Sequence, residues 1–272
     1  MRKMLLTIFI TAIICLTSCA GVYWWYTAPN TANAPALINQ ISHGNLTVLN
    51  QFTAIGNLEG YVVQSTRDNS QTIIYMDNQQ HYLISGTVIA ADGSDISAQN
   101  YQSYIAPQSA SLAFNYISNV TYIQQGENTA PHQAYILFDP NCIYCHRLFQ
   151  LVQPAIQQGT LAVRWIPVAF LKDTSAGRAY AILSSPSPLA MLLQNESNFN
   201  ESTEEGGAPP LNSPSVKVQQ QLKNNMAFLT ETQLTATPAI LYKSKAGIAN
   251  IIPGMVSPDK LNTLIAGFSS CF

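Results

Sequence analysis

The chain has 272 residues, is 47% hydrophobic and only 10% charged, and carries a formal net charge of −2 with an isoelectric point near 6.0. That length exceeds one domain of typical size, and the apolar content is ample for packed cores. The charge balance, without a basic run, excludes nucleic-acid binding and leaves solubility to Asn, Gln, Ser and Thr.

Arg2 and Lys3 precede an apolar run from Met4 to Leu16, and Leu16-Thr17-Ser18-Cys19 then has the form of a bacterial lipobox. Residues 1–19 therefore read as a lipoprotein signal. Cleavage before Cys19 removes Cys15 and leaves a lipid on Cys19. The alternative is an uncleaved anchor: Leu5 to Tyr26 is long enough to span a bilayer, and Trp24-Trp25-Tyr26 suits its interface. Both readings put the rest of the chain outside the cytoplasm on a membrane tether, where disulfides persist.

Residues 20–35 read as the tether, leading to a short helix near Ala36 to His43. Four strand-like runs follow, Leu46–Phe52, Gly60–Thr66, Gln71–Met76 and Tyr82–Ala90, separated by turn clusters such as Arg67-Asp68-Asn69-Ser70 and Asp77-Asn78. This predicts a small antiparallel sheet within residues 36–100, with too little chain for a sizeable core. Its exposed edge asks for a partner, as in a dimerisation domain. Within 101–126, Leu112, Phe114, Ile117 and Val120 recur at helical spacing and predict a linker helix over Ser109 to Ile123, closed by Gly126 to Pro131.

Residues 127–272 read as a redox domain. Ala134 to Phe138 is an apolar run of strand length and Asp139-Pro140-Asn141 a turn; Cys142 to Gln158 then has helical spacing. Cys142-Ile143-Tyr144-Cys145 thus puts one thiol at a helix start and a second one turn later on the same face. Unpaired backbone N–H groups and the helix dipole favour a thiolate there, lowering a thiol whose free value is about 8.5. Cys142 is the candidate attacking thiol and Cys145 the resolving one.

Other readings of the motif are a zinc site, a fixed structural disulfide and c-type haem attachment. Zinc needs about four ligands at matching spacing, and only Cys271 and scattered histidines remain. Haem attachment uses Cys-x-x-Cys-His, which Cys142, Cys145 and His146 satisfy, but a cytochrome is helical around its haem and strand-like runs flank this motif. His146 reads as a surface helix residue, with an influence on thiol protonation as the alternative. Next come a strand, Leu161–Phe170, and a helical insertion from about Thr174 that includes a surface loop, Glu201 to Pro214. Thr237-Pro238 opens an apolar strand, where proline belongs at an edge or first position. A strand over Gly247–Ile252 and a helix from Ser257, with Pro258 at its first position, complete the chain. Cys271 reads as a free, non-catalytic thiol on a loose tail beyond Gly267.

From about Ala36 onward the chain resembles the periplasmic disulfide isomerases DsbC and DsbG, DsbG more closely. The resemblance rests on Asp139-Pro140 ahead of Cys142-Ile143-Tyr144-Cys145, on Lys172 with Ala179-Tyr180-Ala181-Ile182-Leu183, and on Thr237-Pro238-Ala239-Ile240. Tyr82-Leu83-Ile84-Ser85-Gly86 resembles the end of the family's small dimerisation domain. It implies an α+β protein: an antiparallel dimerisation sheet, a linker helix and a thioredoxin-like domain with a helical insertion. It implies a cis Thr237-Pro238 bond against the sulfurs, with Ile143, Tyr144, Thr237 and Pro238 contacting substrate. It further implies a V-shaped homodimer acting without metal or cofactor on exported cysteine-containing proteins, kept reduced by a DsbD-type membrane reductase. DsbG has proline where this chain has Ile143, at a position that tunes redox potential. Isomerase or reductase chemistry is the expected activity, with a disulfide oxidase or, beyond it, a c-type cytochrome as alternatives.

Overall fold

The computed structural model describes residues 34–271. The signal segment with Cys19, the alternative anchor and nearly all of the tether lie outside the described residues. No helix among the described residues is long and apolar enough to cross a membrane.

The N-terminal part is a four-stranded antiparallel sheet in the order β1-β2-β3-β4, with β1 Leu46–Thr53, β2 Leu58–Ser65, β3 Gln71–Asp77 and β4 Leu83–Ile84. The β2–β3 connection is the expected turn: Asn69 takes a left-handed φ of 58° and Asp68 Oδ1 accepts from the Ser70 N–H at 3.1 Å. Helix α1, Ala34–Ile41, packs Ile38 on one face against Tyr61, Val63, Ile74 and Met76. The other face carries Phe52 and Val62 against Ile105. Coverage on both sides explains why β2 is buried without alternation over Gly60 to Val63. The fourth strand is shorter than its pattern. Gly86, at φ 152°, ends the pairing after two residues, and only an isolated bridge between Ile89 and Asp95 follows.

Where the spacing predicts a single linker helix over 109–123, the chain from 96 to 125 forms two helices, a 3-10 turn at Ile117–Asn119 and a strand. Helix α2, Ile96–Tyr104, is capped by Asp95, whose side chain accepts from the Ala98 N–H at 2.8 Å. Helix α3, Ala106–Tyr116, begins with Pro107 in its first turn and buries Ala106, Ala110 and Ala113. Those small side chains let α3 lie close on the second sheet and on the long helix α7, Val216–Thr232. The segment read as a linker packs on the second sheet: Ala106, Ala110 and Ala113 form its buried stripe, with Val120 buried and Phe114 and Ile117 packed beside them.

The second sheet has the order β5-β7-β6-β8-β9. Its strands are β5 Ile123–Gln125, β6 His132–Phe138, β7 Leu161–Pro167, β8 Ala239–Lys243 and β9 Ala249–Pro253. Strands β6 and β7 are parallel, joined by helix α4, Ile143–Gln157, and the remaining pairs are antiparallel. Central β6 is buried over 133–138, with α4 and the last helix α8, Pro258–Ile265, on one face and α3 and α7 on the other. Between β7 and β8 the insertion adds α5, Ser175–Ser184, and α6, Pro188–Ser197, before α7.

The tail and the insertion loop depart from their sequence readings. Phe268 is buried and Ser269 O accepts from the Gln133 N–H at 3.0 Å, so the chain is held to β6 there, and Cys271 beyond it is an exposed free thiol. The loop over 201–214 is not all surface: Gly206 and Ala208 are buried, and the Arg178 guanidinium donates to the Ala208 carbonyl. Its Glu, Gly and Pro content masks a segment packed behind the redox motif.

Candidate redox-active site

Strand β6 delivers the chain to the motif, and Asp139 fixes the turn that follows. Its buried carboxylate accepts from the Asn141 N–H at 2.9 Å, the Ser175 hydroxyl at 2.7 Å, and the Phe170 and Leu171 N–H groups at 2.8 and 3.0 Å. Four donors satisfy a carboxylate that would be costly to bury bare. They tie the start of α4 to the segment after β7 and to the start of α5.

Cys142 is the N-cap of α4, in extended backbone (φ −86°, ψ 115°), and its sulfur accepts from the Cys145 N–H at 3.3 Å. A thiolate satisfies a first-turn N–H there and faces the positive end of the helix dipole. The Cys142 thiol is accordingly lowered to about 7: the hydrogen bond with the Cys145 side chain is the main cause, burial opposes it, and the Cys145 and Tyr144 backbone groups add to it. Cys145 goes the other way, well above the ordinary thiol value, because of burial first and its neighbour Cys142 second. Both are free thiols, 4% and 2% exposed.

The Thr237-Pro238 bond is cis, and the Thr237 carbonyl lies 3.5 Å from the Cys142 sulfur, accepting from the thiol. The Gly254 N–H donates to Pro238 O at 2.7 Å, tying the proline to the turn after β9. Thr237 Oγ1 is buried and has no hydrogen-bond partner in the protein. Ile143 is half-buried, and Tyr144 is 53% exposed with the Arg147 guanidinium 5.9 Å from its ring centre. The fold thus brings Cys142, Cys145, Thr237 and Pro238 together across 95 residues of sequence and leaves Ile143 and Tyr144 on the rim.

His146 is not a surface residue. It is 5% exposed, its Nδ1 lies 2.9 Å from Glu196 Oε2, its Nε2 lies 2.8 Å from Gln150 Nε2, and its ring stacks on Phe199 with centres 4.4 Å apart. With both nitrogens and one face engaged, the ring is not free to be an axial haem ligand, which removes what the Cys-x-x-Cys-His match offered. Among the described residues no group of three or more His, Cys, Asp or Glu side chains is placed to hold a metal. Asp139, Asn141, Asn195 and Glu196 were not legible as site residues. For Asp139 and Asn141 the signal available was an Asp-Pro-Asn turn abutting the motif; for Asn195 and Glu196 there was none.

Residues 119–268, more than half of the chain, match the family model of the thioredoxin-like domain. The thiol:disulfide interchange protein DsbG of Pseudomonas aeruginosa is 26% identical over 231 residues, 85% of this chain and 88% of its own. DsbG of Escherichia coli is 25% identical over 234 residues, covering 85% and 91%. Among solved structures, the catalytic domain of Proteus mirabilis ScsC is 22% identical, with 59% of this chain and 97% of that chain covered and a TM-score of 0.45.

Proposed function

This chain belongs to the thioredoxin-like domain family and is a thiol-disulfide oxidoreductase similar to DsbG, and from that premise we propose that it works as a reduced isomerase or reductase on exported proteins. The observation that carries the reading is the split between the two thiols, Cys142 lowered to about 7 and Cys145 raised by burial. An attacking thiol works best with a value near ambient pH, where thiolate and nucleophilicity are both available.

Cys142 as thiolate attacks one sulfur of a non-native disulfide. A bond forms between Cys142 Sγ and that sulfur, and the other substrate sulfur leaves as a thiolate. On a sulfenic acid the same attack releases water after protonation of the hydroxide. A different substrate thiolate then attacks the substrate sulfur of the mixed disulfide, forming a new substrate disulfide and releasing Cys142 as thiolate, or Cys145, losing its proton, attacks Cys142 Sγ and releases reduced substrate with a Cys142–Cys145 disulfide left behind. Thr237, Pro238, Ile143 and Tyr144 contact the substrate chain beside the sulfurs.

The protein is periplasmic and held to a membrane by the lipid on Cys19. Two copies pair through the N-terminal sheet, a reading supported by the exposed apolar side chains Leu49, Tyr82 and Ile84 on its outer strands. A DsbD-type membrane reductase returns the pair to thiols. Alkylation of intact cells followed by gel shift tests the direction of electron flow: mostly reduced Cys142 and Cys145 support the isomerase or reductase, and a mostly oxidised pair makes the protein an oxidase.

A further inference from the structure

Asn195 and Glu196 close helix α6 behind the redox motif, and together they reach both of its flanks. Ahead of Cys142, Asn195 Nδ2 donates to Pro140 O at 3.1 Å, and the Ala208 N–H donates to Asn195 Oδ1 at 3.2 Å. In the same stretch the Gly206 N–H donates to Asn141 Oδ1 at 3.0 Å. After Cys145, Glu196 Oε2 takes the Nδ1 hydrogen bond of His146 at 2.9 Å. The two arms are joined, because Asn195 Nδ2 also donates to Glu196 Oε1 at 3.0 Å.

These side chains are in the interior: Asn195 is 0% and Glu196 5% exposed. Among the described residues the ion-pair partner of Glu196 is His146 alone. A buried carboxylate with one imidazole as partner is poor evidence of stabilisation, since apolar residues of like volume commonly hold a fold as well or better. The loop is shaped to the same contact. A Cβ at position 206 would lie 2.1 Å from Asn195 Oδ1 and 2.4 Å from Pro140 O, so only glycine lets the segment seat against both.

We propose that Asn195 and Glu196 are positioning residues for the exchange reaction, gripping Pro140 on one side and His146 on the other so that the Cys145 N–H stays aimed at the Cys142 sulfur. This rests on Cys142 and Cys145 being the exchanging pair. The causes that lower the Cys142 thiol include hydrogen bonds formed within 142–145, first that of the Cys145 side chain, and no charge, so they depend on how the first turn of α4 is seated. Releasing either arm lets that turn relax, lengthens the N–H to sulfur contact and returns the thiol toward its ordinary value. Loss of the Glu196 charge acts in the opposite sense, and a variant that keeps its shape separates the two.

The test uses the full chain, reduced, with iodoacetamide alkylation of Cys142 followed against pH and the thiol–disulfide equilibrium measured in glutathione buffers. Glu196→Ala and His146→Phe, the latter keeping the ring stack on Phe199, should each move the alkylation midpoint upward. At neutral pH they should slow the reaction by about threefold or more and shift the equilibrium toward the disulfide. Glu196→Gln, which keeps the shape and an acceptor for His146 and gives up only the bond from Asn195, should stay within about twofold of the parent because Asn195 still holds Pro140. If Glu196→Ala does not fold, His146→Phe carries the measurement. Folded variants with a lowered melting temperature but the parent's profile would overturn the proposal, as would Glu196→Gln matching Glu196→Ala. A parent without a reactive thiol near neutral pH would overturn the assignment of the pair itself.

Discussion

The backbone N–H of Cys145 donates to the sulfur of Cys142 across 3.3 Å, so the residue that closes the disulfide also stabilises the anion that opens the reaction. That hydrogen bond caps the helix and adds to the lowering of the Cys142 thiol, which the Cys145 side chain leads, while burial raises Cys145 itself. Because that bond requires the helical first turn, exchange chemistry here is coupled to the fold of α4 rather than to two cysteines lying near each other.

Alkylation of the reduced protein should titrate at Cys142 with a midpoint of about 7, while Cys145 stays silent at that pH. The thiolate is the base form, so reactivity rises with pH through that value. Stability follows the same sign: a thiol lowered on folding adds stability that is fully present above its unfolded value of about 8.5 and is lost as pH falls through about 7. Urea unfolding of the reduced parent against Cys142→Ser, between about pH 6 and 9, should show the parent gaining on the variant as pH rises.

Cys142→Ser should abolish exchange, since among the described residues no other thiol sits at a helix start. Cys145→Ser leaves the attacker in place without its resolver and should accumulate mixed disulfides with client proteins. Non-reducing gels of trapped complexes distinguish them. Equal behaviour of the two variants would reverse or remove the assignment.

Asp139→Ala removes the acceptor for four donors and leaves the Phe170 and Leu171 N–H groups unpaired beside the motif. A loss of about 2–4 kcal/mol is expected by urea denaturation, from one buried network broken at its centre. A change below about 1 kcal/mol would mean that water replaces the carboxylate freely.

A chain beginning at Ile105 should be a folded, monomeric reductant of small disulfides that has lost most isomerase activity on a scrambled protein. One beginning at Gly126 also lacks α3 and β5, and with them Ala110, Ala113 and Ile123 from the two cores. It should be markedly less stable. Thermal melts, sedimentation, insulin reduction and scrambled-ribonuclease refolding check each part, and a full-length protein that sediments as a monomer would end the dimeric reading.

Labelled palmitate should mark the full-length protein and not Cys19→Ser, which should also keep its signal segment. Absence of label from both would favour the uncleaved anchor.

What could be read from the sequence was what is local. The strand into Cys142, the helix after it and Pro238 at the mouth of β8 each announce themselves within a few residues, by apolar runs and turn chemistry. Of the helix pair over 96–116, only the second half of α3 did, through Leu112 and Phe114. Ile96–Tyr104 buries none of its residues, and the buried stripe at the start of α3 is alanine, which leaves no periodic signal of large side chains. Asn195, Glu196 and His146 look like any polar residues on helices until α6 is folded behind α4. Their meaning lies in contacts 50 or more residues apart, where neither composition nor spacing reports.

Phe52 lies flat over Gly60, where a Cβ would stand 2.3 Å from its ring, and its outer side stacks on Tyr104 with centres 3.9 Å apart. This aromatic pair is one of the ties from the N-terminal sheet to α2 and its end, beside Phe52 and Val62 on Ile105 and the Tyr75 hydroxyl bonded to Ser97 and Asn100. Ile105 is both the end of α2 and the start of α3. Loss of the Tyr104 ring alone therefore leaves the sheet attached, since Ile105, Ser97 and Asn100 still hold it.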